Sequence, residues 1–190
     1  HDPFVERVQE YYQQRSEELE NLFYGPLDSL TTISQPSTLS QLERELYAQA
    51  ALGANVGDAL RDGEGTIYSQ KIGDITVLAK KYDYGSGQDH HQDLLLFKLD
   101  QQGTIAEVYR FKDVDFSDSE ELLDDAEPVS AVLFQGDRLM IVDYSNETFK
   151  EVKDNQTEFN GGNIEPYQRQ VEKILTEFRT LYSRGPNPGE

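Results

Sequence analysis

Two stretches carry residue types able to hold a metal ion, Asp89-His90-His91-Gln92-Asp93 and the acidic run from Asp113 to Glu127. In the second, Asp113, Asp115, Ser117, Ser119, Glu121 and Asp124 fall at positions one, three, five, seven, nine and twelve of the EF-hand loop, whose oxygens surround Ca²⁺. Three features depart from that pattern. Asp118 stands where the sharp turn wants Gly, Glu120 where an apolar residue is expected, and Asp124 where a longer Glu would bind bidentately. The run holds eight carboxylates with no Lys or Arg between them. A like-charge block of this kind is most often a solvated loop, so it is read either as that or as a loop ordered by Ca²⁺. The histidine pair is a weaker ligand set. Adjacent side chains on an extended chain point to opposite faces, and no third histidine lies near.

Covalent catalysis finds little support. There is no cysteine, only three histidines and no Gly-x-Ser-x-Gly elbow. Neither Gly63 to Gly65 nor Gly85 to Gly87 leads from a strand into a helix, as a phosphate-binding loop must. With 36 acidic residues, a carboxylate pair of the glycosidase kind carries no information. The chain is therefore read as non-catalytic, with a hydrolase as a minor alternative. A net charge of −19 argues against a nucleic-acid backbone or an anionic membrane surface as partner. No window approaches the roughly 18 apolar residues of a membrane-spanning helix. A chain opening at His1 is expected to be processed or trimmed, with any signal or lipid-attachment segment ahead of it.

The elements that must position any site are legible in outline. Residues 1–184 are expected to form one α+β domain, with a helical part over 1–62, an antiparallel β-meander of six or seven strands over 65–153, a C-terminal helix over 163–183 and a flexible tail over 185–190. In the meander, Gly73-Asp74 and Gly136-Asp137 mark two-residue hairpin turns, and Asp100 to Gly103 a longer one. Leu94 to Phe97 is a continuous apolar run, which calls for burial on both sheet faces. Tyr82 to His91 is polar and Gly-rich and is read as a loop, as is Asn155 to Asn163. Thr148 to Val152 is read as an edge strand.

Asp2-Pro3 starts a first helix whose stripe of Phe4, Val8, Tyr11, Arg15, Leu19 and Leu22, widened by Val5, Tyr12 and Phe23, should pack on the sheet before Gly25-Pro26 ends it. Ser40-Gln-Leu-Glu43 is a capping box for a second helix with Leu42, Leu46 and Ala50 facing inward. A short helix to Leu60 follows. Tyr167, Val171, Ile174, Phe178 and Leu181 form one stripe on the last helix, with Asn163 as its cap.

This element order is similar to a lipocalin-like barrel closed by a C-terminal helix, and also to an NTF2-like or cystatin-like wrap of a curved sheet around a long helix. The absent Met start, absent Cys, acidic charge and Tyr- and Gln-rich polar character resemble the mature region of a small Gram-positive surface lipoprotein. That resemblance implies an extracellular, surface-associated domain and carries no site residues. The function expected is non-catalytic binding of a small-molecule or protein ligand on the sheet, with Tyr68, Tyr82, Tyr84 and Tyr109 as pocket or rim residues. The alternative is a Ca²⁺-responsive protein using residues 113–127.

Overall fold

A computed structural model describes residues 3–7, 9–11, 13–14, 36–117, 122–124, 126–153 and 159–184. Its centre is one sheet of eight strands, β1 (Thr66–Ile72), β2 (Ile75–Tyr84), β3 (His91–Leu99), β4 (Ile105–Lys112), β5 (Glu127–Gln135), β6 (Arg138–Asp143), β7 (Thr148–Lys153) and β8 (Phe159–Gly161). Each strand pairs antiparallel with the next in sequence. The β1–β2 turn shows why a meander forms. Ile72 pairs with Ile75 across two residues, and Gly73 takes φ 58°, the left-handed conformation that a II′ turn requires at its first position.

Three expectations need correction. The sheet has eight strands because Phe159–Gly161 pairs with Phe149, Lys150 and Glu151, inside a segment read from composition as loop. A three-residue strand has no periodicity to read, and its partner supplies the order. The tyrosine-rich stretch is not loop from Tyr82 onward. Tyr82 pairs with Asp93 and Tyr84 with His91, so β2 runs on to Tyr84, and the true connection is Gly85 to His90. Aromatic side chains suit a pleated surface and outweigh the polar residues between them. The strand at Thr148 to Val152, read as an edge, is interior, because β6 pairs along one side of it and β8 along the other. The sheet is open, the curved-sheet alternative of the two arrangements expected, with β1 and β8 at its two ends among the described residues.

Helices cover both faces. On one lie α1 (Gln41–Leu52) and α2 (Val56–Arg61), packed on Leu95, Phe97, Val108, Val132 and Leu139. On the other lies α3 (Glu165–Arg184), packed on Leu94, Leu96, Tyr109, Phe111, Leu133 and Met140. The capping box forms as read, with Ser40 Oγ accepting from Glu43 N and Glu43 Oε1 accepting from Ser40 N. Glu45, Leu46, Tyr47, Ala48 and Leu52 are the buried residues of α1, while Leu42 and Ala50 are half-buried. In α3, Val171, Ile174, Leu175 and Phe178 are buried, and Asn163 Oδ1 accepts from Glu165 N. Residues 3–7, 9–11 and 13–14 are helical; Tyr11 packs partly on the α1 face, whereas Phe4 and Val5 are exposed. Val8, Tyr12, Arg15, Leu19, Leu22, Phe23, Gly25 and Pro26 lie outside the described residues, as does the tail from residue 185.

Polar groups inside these layers are partnered at the joints. Lys80, 2 % exposed, donates to the carbonyls of Asp62 and Glu64 and to Thr66 Oγ1, tying the end of α2 to the start of β1. Arg44 donates to Ile105 O at 2.7 Å and lies 4.9 Å over the Phe134 ring, fixing α1 to the sheet. Under α3, Glu107 accepts from the Tyr109 hydroxyl and from Gln170 Nε2, and Lys98 pairs with it at 3.2 Å. Burial pushes the Tyr109 hydroxyl well above the ordinary tyrosine value, with the Glu107 carboxylate adding to the shift; burial raises Tyr144 in the same direction.

A pH dependence follows from those directions. A folded-state pKa raised above the unfolded value contributes stability that is present below about pH 10 and is lost as pH rises through and beyond it. The urea midpoint of the protein should therefore fall steeply above about pH 10, and Tyr109→Phe should flatten that fall relative to wild type. Equal slopes for the two proteins would show that Tyr109 ionises without regard to folding.

Candidate functional site

The sheet face beneath α1 carries the most deeply buried ion pair among the described residues. Asp93 on β3 is fully buried and Arg110 on β4 is 15 % exposed, with Arg110 Nε donating to Asp93 Oδ2 at 2.7 Å. Register explains the meeting. Leu95 pairs with Arg110, so Asp93 is its diagonal neighbour on the same face. The second carboxylate oxygen accepts from Asp113 N at 3.1 Å and from the Tyr84 hydroxyl at 3.4 Å. Arg110 Nη1 donates to Leu52 O at 2.6 Å, placing a cation at the C-terminus of α1, where the helix dipole favours one.

Aromatic rings complete the cluster. The Arg110 guanidinium lies 5.6 Å from the Tyr82 ring and 5.1 Å from the Tyr84 ring, and Tyr84 stacks on Tyr82 at 5.5 Å and on His91 at 5.1 Å. Burial, then the nearby Asp93 charge, raises the Tyr84 hydroxyl above its ordinary value. Gly85 makes this corner feasible: its φ is 82°, and a Cβ there would overlap the Asp89 carbonyl. Both Asp93 oxygens are occupied and Arg110 is held on several sides. The cluster is thus a clamp that fixes the last turn of α1 over the sheet.

Just past that turn lies a pocket of about 250 Å³. Ala51, Leu52 and Gly53 of the α1 terminus form one wall, and β5 to β7 contribute Ser130, Ile141, Asp143, Thr148 and Lys150. Ser130 is the register partner of Arg110, so the clamp and the pocket are neighbours on one face. Ser130 is 8 % exposed, and its Oγ has no hydrogen-bond partner among the described residues. Asp143, by contrast, accepts from Asn146 N and Nδ2 at the β6–β7 turn.

The four tyrosines chosen from sequence divide between the two faces. Tyr82 and Tyr84 come together on Arg110 at the rim of the clamp. Tyr68 and Tyr109 are buried beneath α3, Tyr68 meeting Phe178 and Tyr182 edge-on and Tyr109 stacking on Phe111. None of the four lines the pocket. The signal for the pocket was Ser130 itself, a small hydroxyl interrupting the apolar strand Val129 to Phe134.

Among the acidic-run residues, Asp113 sits at φ 52° with its Oδ1 3.4 Å from His91 Nδ1. Asp115 Oδ1 accepts from Ser117 N and Oγ, which holds its carboxyl below the ordinary value. Asp124 lies 3.7 Å from Arg179 on α3. Ser119 and Glu121 lie outside the described residues. The run is also not wholly solvated, because Val114, Leu122 and Leu123 are buried in the core under α3. His90 lies 3.3 Å from Asp83, while His91 lies against Asp113. Among the described residues, no three carboxylate or imidazole groups converge on a point able to hold a metal ion. No helix among them is long and apolar enough to cross a membrane.

Arg110→Met should cost about 3–5 kcal/mol of unfolding free energy, because it strands a buried carboxylate. Arg110→Lys should fall between wild type and that variant, since it keeps the charge and loses the planar fork. Urea titrations at constant m-value measure both, and a loss under about 1 kcal/mol for Arg110→Met would show the pair to be effectively solvated. No protein-family model matches this chain, and no match was found among the curated proteins or the solved structures.

Proposed function

We propose that this chain is a non-catalytic binding domain, acting outside the cell, that holds a small ligand in the pocket between the C-terminus of α1 and strands β5 to β7. The observation that carries the reading is the lining of that pocket. It is mostly apolar with few polar groups, the usual make-up of a small-molecule site, and it includes Ser130, whose buried hydroxyl has no partner among the described residues. Buried polar atoms are nearly always hydrogen-bonded, and an exception calls for an explanation that a ligand supplies. The clamp supports the same reading, because Arg110 fixes the helix end that forms the wall, and binding is favoured by a wall that need not be ordered on association.

Catalysis has less support: the pocket lining offers no histidine, and its carboxylate, Asp143, is already engaged by Asn146. The acidic, cysteine-free composition shared with Gram-positive surface lipoproteins supports placement at the cell surface.

The test is amide chemical-shift mapping of the whole chain with a set of single-ring fragments at millimolar concentration. Shifts should cluster at Leu52, Ser130, Ile141 and Thr148, and Ala51→Leu, which extends a side chain from the wall, should weaken them at least fivefold. Fragment shifts confined to the α3 face, or unchanged by Ala51→Leu, would remove the pocket from consideration.

A further inference from the structure

The chemistry of the pocket narrows what it can hold, granted the binding reading above. Of the polar side chains in its lining, Ser130 alone is buried; Asp143 and Lys150 are half-buried and Thr148 is exposed. A hydroxyl both donates and accepts, so Ser130 Oγ suits a neutral group with the same dual capacity. Asp143 and Lys150 bring one charge of each sign to the lining, so neither sign of ion is preferred there, and one hydroxyl cannot offset the cost of desolvating an ion. Leu52, Val129 and Ile141 supply the apolar surround. Size gives the remaining limit. A cavity of roughly 150 Å³ takes benzene, so about 250 Å³ has room for a ring with a few further atoms.

We propose that the pocket takes a neutral, single-ring alcohol or phenol, of about ten non-hydrogen atoms by proportion with the benzene cavity, whose hydroxyl is hydrogen-bonded to Ser130 Oγ. The ring lies among Leu52, Val129 and Ile141, and Ser130 sets the preference for a hydroxyl over a methyl group of the same size. This assigns to Ser130 a role in specificity that packing does not require. Its replacement by Ala removes a buried hydroxyl that has no partner among the described residues and leaves the free protein at least as stable as before.

The experiment compares p-cresol with p-xylene, which differ by a hydroxyl in place of a methyl, against wild type and Ser130→Ala by amide shift titration and calorimetry. Wild type should bind p-cresol at least as tightly as p-xylene, although the cresol hydroxyl must leave water. Ser130→Ala should weaken p-cresol about tenfold, the loss of one hydrogen bond, and leave p-xylene unchanged. Its urea midpoint should equal or exceed that of wild type. An unchanged p-cresol affinity in Ser130→Ala overturns the assignment, as does a p-xylene affinity in wild type tenfold above that of p-cresol, a comparison that needs no variant. In both cases binding at Leu52 and Ile141 persists and the pocket itself stands. If neither probe shifts those amides, the pocket reading falls and this inference with it.

Discussion

Four consecutive side chains of β3, Leu94 to Phe97, have no exposed surface. Because side chains alternate along a strand, Leu94 and Leu96 enter one core and Leu95 and Phe97 the other. Burying four such residues is worth about 1.5–3 kcal/mol each at most, comparable in sum with the 5–15 kcal/mol net stability of a typical domain. Neither helical layer can therefore be dispensable. The sheet needs α1 and α2 on one side and α3 on the other, and this requirement explains why it remains open. Curling into a barrel is one way to bury a sheet face; covering both faces with helices is another, and this chain uses the second.

The polar residues within the layers follow from the same constraint. Helices laid on a sheet bring backbone carbonyls and strand ends into places that water does not reach, and long cations satisfy them. Arg44 reaches Ile105 O, Lys80 gathers the α2–β1 connection, and Arg110 takes the terminal carbonyl of α1. Each sits at a joint between layers. Arg110 differs from the others in having a buried carboxylate partner and two tyrosine rings, and so it is the joint most costly to disturb. Where it holds α1, the helix ends, and β5 to β7 continue past it. The pocket occupies that step.

The acidic segment takes on a different character in this setting. Read as a charge block it belongs in solvent, yet Leu122 and Leu123 anchor part of it under α3, Arg179 donates to Leu123 O, and Asp124 lies near the same guanidinium. Asp113 donates its backbone N–H to Asp93, so the start of the segment is attached to the clamp on the opposite face. The segment thus links the two cores at the β4–β5 crossing.

The sequence by itself determined the local elements. Gly73-Asp74 and Gly136-Asp137 fixed two hairpins, Ser40 and Glu43 fixed the start of α1, and the run Leu94 to Phe97 declared that a strand would be covered on both sides. These are short-range matters of backbone conformation, capping and period, and they need no partner to be read. Only the tertiary structure decided which residues meet. That Tyr82 and Tyr84 share Arg110 while Tyr68 and Tyr109 face the other core depends on strand register and on the covering helix. Both are set by contacts between residues far apart in the chain. The eighth strand, the Asp93–Arg110 pair and the pocket at Ser130 have the same origin, since each exists only once β-strands and helix ends from separate stretches are brought to one face.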